Sequence, residues 1–292
     1  MKRLALVILI AALLISFVGC APSAKAGMPV VLLTDYGNDD YRVPRLKGII
    51  YSAYPDVEII DATHGITGMD IATGAYVLDL AAKEFPADVV FIAGVGSPAN
   101  PDVQYLVLLT NKDQIFVAAN NGLLTNIIND MGIKKAYSIT NTELYDRPDS
   151  MLSSHYILGR VGALIASGRP LEDVGPEVSN PVMLDIQKAV VASGKAQGSV
   201  VFIDRFGNCL TNISGADCAQ LGIKVGDTLQ VTIAGAKVTM KLGTTYGSVA
   251  VGEAVAFVNS LDSLQLSLNS ANFAGAYNLK NGAKIEIEKL AP

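Results

Sequence analysis

The sequence predicts an α/β domain with a mainly parallel sheet, followed by a smaller β-rich domain that is a barrel or a sandwich. In the first part of the chain, apolar runs show no two-residue alternation and are separated by helical stretches, which is typical of a parallel sheet covered on both faces. From Gly198 onward the runs are short and are separated by turn signals such as Gly226-Asp227 and Asn281-Gly282, which favours a small all-β unit.

The first domain is assigned to residues 28–180. Its strands are predicted at residues 29–34, 57–60, 89–95, 105–110 and 114–118, and its helices at residues 43–54, 70–84 and 154–168. Residues 176–194 are polar, contain two prolines and show no sustained period, so the domain boundary is placed there. The second domain is assigned to residues 181–292, with strands predicted at residues 198–204, 228–233, 237–242, 254–259, 264–268 and 284–288.

Residues 1–27 are assigned as an export signal and linker, because a basic start precedes an apolar run over residues 4–18. That run is shorter than the roughly 20 residues that a transmembrane helix needs. Cys20 follows small residues in the pattern of a bacterial lipoprotein, and a lipid there would be the only membrane attachment. The alternative is cleavage after Ala26, which predicts a periplasmic or secreted protein.

Charge and motifs argue against several classes of function. The formal net charge is −5 and no cluster of Lys and Arg occurs, so nucleic acid is not an expected partner. No G-x-G-x-x-G dinucleotide signature follows the first strand, and the triphosphate and nucleophile-elbow signatures are absent from the sequence. The two His and three Cys lack the spacing of metal ligands, so neither a metal nor a separate cofactor is expected.

Polar side chains follow three predicted strands. Asp35 follows the first strand, Asp61 the second, and Asn120-Asn121-Gly122 a later one. Open α/β sheets bind their ligands at the carboxyl ends of their strands, so together these positions indicate a small-molecule site. Taken singly, each is equally typical of a helix cap or a turn.

Six short blocks occur in a fixed order along the chain, and together they resemble the fluorinase, chlorinase and S-adenosyl-L-methionine (SAM) hydroxide adenosyltransferase family. The blocks are Thr34-Asp35-Tyr36-Gly37 with Asp40 and Lys47-Gly48; Ile60-Asp61-Ala62-Thr63-His64; Asp70 with Gly74-Ala75; Phe116 to Leu124, which contains Asn120-Asn121-Gly122; Ile203-Asp204-Arg205-Phe206-Gly207-Asn208 with Thr211-Asn212-Ile213; and Val258-Asn259-Ser260 with Asn269.

The resemblance implies a set of substrate-binding residues. Asp35 would bind the ribose hydroxyls, and Asp204 and Ser260 the amino-acid head of methionine. The adenine pocket would contain Phe206, Asn208, Tyr246 and Asn269, and Asn121 and Asn259 are expected to line the same site.

The resemblance also identifies departures where the reaction would occur. Hydroxide-transferring relatives use Asp, Arg and His; Asp61 matches the Asp, Gly68 stands in place of the Arg, and Ser153 in place of the His, with His155 two residues later. Ser154 matches a serine that contacts halide in fluorinases. The fluorinase insertion is absent between Leu109 and Phe116, and Ala99 stands at the position of the halide-site threonine. The candidates for the catalytic step are therefore Asp61, Ser153, Ser154 and His155.

The reaction expected from the resemblance is hydrolysis of SAM to adenosine and L-methionine, with water or hydroxide attacking ribose C5′. SAM is then the substrate, and no cofactor is expected. Three alternatives remain open: an exported SAM- or adenosine-binding protein without catalysis, a SAM-dependent halogenase, and a serine hydrolase built on His155 with Ser153 or Ser154. The resemblance further implies a homotrimer in which the ligand lies between the first domain of one chain and the second domain of its neighbour.

Overall fold

A computed structural model describes residues 27–96, 103–145 and 153–291 of the chain. Cys20 and the cleavage site at Ala26, both in the predicted export signal, lie outside the described residues, as does Ala99. The side chain of Ser153 is likewise not described. Within the described ranges, no helix combines the length and the apolar character needed to cross a bilayer.

The first sheet has six strands and is mostly parallel, as predicted. Strands β2, β1, β3 and β5 run parallel in that order, and β4 pairs antiparallel with β5 and with β6. The elements are β1 (Val30–Thr34), α1 (Arg42–Ala53), β2 (Ile59–Thr63), α2 (Ile71–Glu84), β3 (Val90–Gly94), β4 (Tyr105–Thr110), β5 (Ile115–Ala119), α3 (Thr125–Met131), β6 (Ile133–Ser138) and α4 (Ser153–Ala166), followed by two 3₁₀ turns at Thr142–Leu144 and Leu171–Val174, the first of which precedes α4.

Helices cover both faces of this sheet, which explains why its strands show no alternation. Val30 and Leu32 of β1 belong to the core cluster that contains Leu46 of α1. Their neighbour Val31 belongs to the opposite cluster, together with Leu78 of α2. Since successive side chains of a strand point to opposite faces, β1 must be apolar at every position.

The second sheet closes into a seven-stranded barrel, which decides between the two architectures predicted for this part. The strand order is β10-β11-β12-β13-β9-β8, and β14 pairs with both β10 and β8, so no edge remains in the barrel. The elements are β7 (Val190–Ala192), which pairs on the outside with β8 (Lys195–Ile203), then β9 (Cys209–Ser214), α5 (Gly215–Gln220), β10 (Thr228–Ile233), β11 (Ala236–Leu242), a 3₁₀ turn (Tyr246–Ser248), β12 (Ala254–Val258), β13 (Ser263–Leu268), α6 (Phe273–Ala276) and β14 (Lys284–Lys289).

Side-chain contacts join the two sheets on the α2 side of the first. Asn281 Nδ2 donates to Thr73 Oγ1 over 2.8 Å, and the rings of Tyr76 and Phe202 lie 6.4 Å apart. The segment between the sheets is attached to the loop after β5, where Asn120 Oδ1 accepts the Val182 N–H over 2.7 Å. The boundary at residue 180 stays a prediction.

One predicted strand boundary is wrong, and it changes the setting of Asp61. The second strand was predicted to end at residue 60, whereas β2 continues to Thr63 and pairs Asp61 with Leu32 of β1. Strand β2 lies at the edge of the sheet and its side chains are partly exposed. Polar residues are tolerated at such positions, so the backbone pairing with β1 continues past the apolar run. Asp61 therefore lies within the strand rather than after it.

Candidate active site

The strand order of the first sheet creates a crevice at the carboxyl ends of β1 and β3. Strand β1 lies between β2 and β3, and the connecting helices α1 and α2 pack on opposite faces. This is a topological switch point, where loops diverge and leave space for a ligand. Asp35 directly follows β1 in this crevice, and Gly96 lies just beyond the end of β3.

Asp35 is anchored by one of its two carboxylate oxygens. Its Oδ2 accepts the backbone N–H groups of Met69 and Gly96, each over 3.0 Å. Its Oδ1 accepts no hydrogen bond from the described residues. Asp35 is therefore held rigidly while keeping one charged acceptor for hydroxyl donors.

Asn121 shapes the loop that holds Asp35. Its Nδ2 donates to the carbonyls of Val95 and Gly96, each over 3.0 Å, and its Oδ1 accepts the Leu123 N–H. Gly96 has a φ of 61°, and a Cβ there would lie 2.5 Å from a side-chain carbon of Ile71. The amide of Asn121 thus aims the Gly96 N–H at Asp35, and its predicted substrate contact stays a prediction.

Asp61 lies next to two side chains that the sequence did not assign to the site. Lys47 Nζ from α1 donates to Asp61 Oδ2 over 2.5 Å, and His64 Nε2 lies 3.2 Å from Asp61 Oδ1. Desolvation by partial burial raises the pKa of the Asp61 carboxyl, but the contacts with Lys47 and His64 outweigh it and hold the pKa below its usual range. Asp61 is therefore ionised at neutral pH.

Ser154 lies at the start of α4, next to the phenols of Tyr36 and Tyr105. Burial, with the charge of Asp35 as a second cause, raises the pKa of Tyr36 to about 12, so the phenol stays protonated. The guanidinium of Arg42 lies 5.2 Å from the Tyr36 ring centroid in a cation–π contact. Tyr36 thus links Ser154 to the loop that follows β1.

His155 occupies a different environment from its neighbour Ser154. Its side chain is 3% exposed, and its Nε2 has no hydrogen-bond partner among the described residues. Burial, followed by the charges of Arg45 and Arg42, lowers the pKa of His155, so the ring is neutral at neutral pH. Adjacent residues of a helix do not share a face, so Ser154 and His155 are poorly arranged for the nucleophile–base pair of a serine hydrolase.

The turn between β8 and β9 holds three of the predicted substrate-binding residues together. Asp204 Oδ1 accepts the N–H groups of Phe206 and Asn208, each over 2.9 Å, and Asp204 Oδ2 accepts Asn208 Nδ2 over 2.7 Å. Asn208 is buried, whereas Phe206 is 76% exposed. The turn therefore presents an aromatic ring to the outside on a rigid base.

The other predicted residues of the second sheet lie around β12 and β13. Tyr246 is 42% exposed and its Oη accepts Gln265 Nε2 over 2.9 Å, while Gln265 Oε1 accepts Asn259 Nδ2 over 3.2 Å. Ser260 is exposed. Asn269 Nδ2 donates to the Val249 carbonyl over 2.9 Å. Gln265 was not predicted, because it lies in a buried strand and in none of the sequence motifs.

The predicted site residues form two sets within one chain. Asp35, Asp61, Asn121 and Ser154 lie around the crevice of the first sheet, and the predicted residues after position 200 lie on the barrel. No hydrogen bond or ion pair among the described residues joins these two sets. The described part of the chain also contains no group of three His, Cys, Asp or Glu side chains placed to hold a metal ion.

An open α/β sheet with an acidic crevice at its switch point, joined to a closed barrel with exposed aromatic residues, defines a two-part protein that binds small molecules. The chain belongs to the SAM hydroxide adenosyltransferase family: the N-terminal domain of that family matches residues 30–175, and its C-terminal domain matches residues 198–286.

Relatives with two different activities cover most of the chain. A fluorinase from Nocardia brasiliensis is 30% identical over 290 residues, which cover 89% of this chain and 96% of the relative. An (R)-S-adenosyl-L-methionine hydrolase from Methanocaldococcus jannaschii is 30% identical over 208 residues, 70% of this chain and 73% of the relative. A solved structure, an uncharacterized conserved protein from Thermotoga maritima, is 29% identical with a TM-score of 0.83 and covers 89% of this chain and 99% of its own. The chain is thus related to SAM hydrolases and to fluorinases.

Proposed function

We propose that this chain hydrolyses SAM to adenosine and L-methionine. The oxygen of water forms a bond to ribose C5′ while the C5′–sulfur bond breaks and its electron pair stays on the sulfur. The products are adenosine, neutral thioether methionine and one proton, which passes to solvent. Because the sulfonium is already a good leaving group, the protein mainly has to align the reactants and exclude bulk water.

The observation that carries the proposal is a pair of carboxylates, Asp35 directly after β1 and Asp61 within the adjacent strand β2. Asp35 keeps one oxygen for the vicinal ribose hydroxyls, which suits an ionised acceptor. Asp61 is ionised and partly exposed, so it can accept a hydrogen bond from the attacking water. Since the pKa of Asp61 is low, it orients water rather than removing its proton, and turnover is expected to rise with pH as hydroxide becomes available.

A feature of the first sheet favours water over halide. Strands β4 and β5 are joined by the short turn of residues 111–114, closed by the Thr110 N–H, which donates to the Gln114 carbonyl over 3.0 Å. The chain therefore lacks an insertion at the place where the resemblance expects one in fluorinases.

The first test is the origin of the new oxygen. Incubation of the protein with SAM in oxygen-18 water, with and without chloride or fluoride, is expected to give adenosine labelled at its 5′-hydroxyl and an equal amount of methionine. Mass spectrometry measures both products. A 5′-halo nucleoside would assign the chain to the halogenases, and intact SAM after prolonged incubation would leave only the binding protein.

Ser154→Ala separates the water and halide routes further. The Ser154 hydroxyl lies next to two tyrosine phenols, and in the proposed route Asp61 orients the water, so loss of this hydroxyl is expected to change hydrolysis little. A halide held by this hydroxyl would lose a charge-assisted hydrogen bond, which lowers a halide-dependent rate about tenfold. The ratio of labelled adenosine to halo product in the variant decides between them.

We also propose that the complete site forms between two copies of the chain in a homotrimer. Among the described residues of one chain, no hydrogen bond or ion pair joins the predicted site residues of the crevice to those of the barrel, and Phe206 is left 76% exposed. A second copy that brings its barrel to the crevice would cover this ring and complete the site. Light scattering at micromolar concentration is expected to give a trimer mass, and a monomer mass would contradict the shared site.

Complementation tests the shared site directly. Asp35→Asn and Asp204→Asn impair opposite halves of it, so each variant alone is expected to be nearly inactive. When the two are co-expressed at equal levels, about a quarter of the interfaces pair two intact halves, and activity recovers to about that fraction. Mixed assemblies without recovered activity would show that each site lies within one chain.

A further inference from the structure

A chain of polar contacts links α1 to the end of β1 through Asp61. Lys47 Nζ donates to Asp61 Oδ2, Asp61 Oδ1 lies 3.2 Å from His64 Nε2, and His64 Nδ1 lies 2.8 Å from Thr34 Oγ1. Thr34 is the residue before Asp35. The contacts therefore connect Asp61 to the residue next to Asp35, the other carboxylate of the proposed site.

We propose that Lys47 and His64 are positioning residues for Asp61, with Lys47 holding one carboxylate oxygen from α1 by a hydrogen bond and His64 facing the other from the turn after β2. The proposal rests on the proposed function, because the orientation of Asp61 matters for catalysis only if Asp61 holds the attacking water. Its geometric content, the fixed state of the Asp61 carboxylate, can be measured without turnover.

The hydrogen bond from Lys47 mainly sets the position and the pKa of the Asp61 carboxylate, and it adds little to the stability of the fold. The side chains of Lys47 and Asp61 are 31% and 40% exposed, and an ion pair this exposed contributes at most about 1 kcal/mol to stability. The charged and titratable groups that act on Asp61 are Lys47 from α1 and His64 from the turn after β2, while β1 presents the apolar Leu32 at the paired position. Lys47 is thus the one permanent cation among the groups that act on Asp61.

His64 restrains the other oxygen because it is buried. Its side chain is 4% exposed, and Thr34 is fully buried. Its Nε2 lies 3.2 Å from Asp61 Oδ1 but makes no hydrogen bond with the described residues, so the contact with Asp61 is one of distance. A ring that carries its proton on Nε2 can accept the Thr34 hydroxyl at Nδ1, which leaves Nε2–H facing the Asp61 carboxylate. A buried N–H without a partner is unfavourable, so the ring favours an Asp61 carboxylate turned toward it.

Kinetics of Lys47 variants test the positioning role. Lys47→Met is expected to lower kcat about 10- to 100-fold, to leave the KM for SAM within about twofold, and to move the acid limb of the kcat–pH profile to higher pH. Lys47→Arg is expected to recover most of the lost rate. The matched control is Lys134→Met. It removes an exposed lysine of β6 that pairs with Asp113 in the turn between β4 and β5. A pH profile of Lys47→Met that overlays that of Lys134→Met, or no rescue by arginine, would overturn the proposal.

Nuclear magnetic resonance gives a second readout that does not depend on turnover. In the wild-type protein the His64 ring is expected to carry its proton on Nε2, and the Asp61 carboxyl is expected to titrate at higher pH in Lys47→Met than in the wild type. A proton on Nδ1 instead, or an unchanged Asp61 titration, would overturn the proposal whatever the kinetics. If the wild type does not hydrolyse SAM while both spectra behave as expected, the proposed function fails and the contacts that fix Asp61 stand.

Discussion

Asp61→Asn is expected to lower kcat for SAM hydrolysis about 100-fold or more, while the KM for SAM changes less than about twofold. The amide removes the charge that faces the attacking water. It also places an NH₂ group either against Lys47 Nζ, which donates to the Asp61 carboxylate, or against His64 Nε2, which lies 3.2 Å from it. Steady-state kinetics over a range of SAM concentrations separates the two parameters.

Asp113→Asn is the matched control for this prediction. Asp113 lies in the turn between β4 and β5 and pairs with Lys134 over 2.6 Å at an exposed site. The substitution therefore removes the same charge and a similar ion pair away from the crevice. Both variants are expected to unfold at nearly the wild-type temperature, since exposed pairs add little stability. A rise in KM for Asp61→Asn with unchanged kcat would assign Asp61 to substrate binding instead.

The buried strands of the first sheet could be predicted because burial on both faces leaves a strong mark on the sequence. Strands β1, β3 and β5 are buried at every position, and each appears as an unbroken apolar run. The edge strand β6, Ile133 to Ser138, was missed because it carries two consecutive exposed lysines. Edge strands carry charge to avoid further pairing, so they lack the apolar signal on which such predictions depend.

The location of the crevice could also be predicted, but its internal contacts could not. A strand end is a local feature, so the sequence placed Asp35 directly after the first strand. The contact of Lys47 with Asp61 depends on how α1 packs over β2, and the contact of Ser154 with Tyr105 depends on where α4 begins. Neither contact leaves a pattern in the order of residues along the chain.

Several predicted ligand contacts involve side chains that the fold already uses. The amides of Asn121 and Asn269 donate to backbone carbonyls. The amide of Asn208 donates to Asp204, and that of Asn259 donates to Gln265. A motif identifies residues that matter for a site without separating those that contact the ligand from those that hold its walls. Asp35 differs from these four because the oxygen that it leaves uncommitted belongs to a charged carboxylate.

Asp35→Asn is expected to weaken binding of both SAM and adenosine about 100-fold, or about 3 kcal/mol. The asparagine carbonyl can still accept the N–H groups of Met69 and Gly96, so the loop keeps its shape. The second oxygen becomes an NH₂ group, and the ionised acceptor for the two ribose hydroxyls is lost. Calorimetry measures the affinities, and Asp39→Asn, which removes the same charge from an exposed position in the same loop, is expected to bind like the wild type.

A double-mutant cycle with a modified ligand assigns the loss to the ribose. Wild-type protein is expected to bind 2′,3′-dideoxyadenosine far more weakly than adenosine, because the open oxygen of Asp35 then loses its donors. Asp35→Asn has already lost that charged acceptor, so it is expected to discriminate much less between the two ligands, and the coupling energy of the cycle measures the contact itself. If the substitution weakens both ligands equally, Asp35 acts only through the loop of Gly96, and the ribose hydroxyls must be bound by another group.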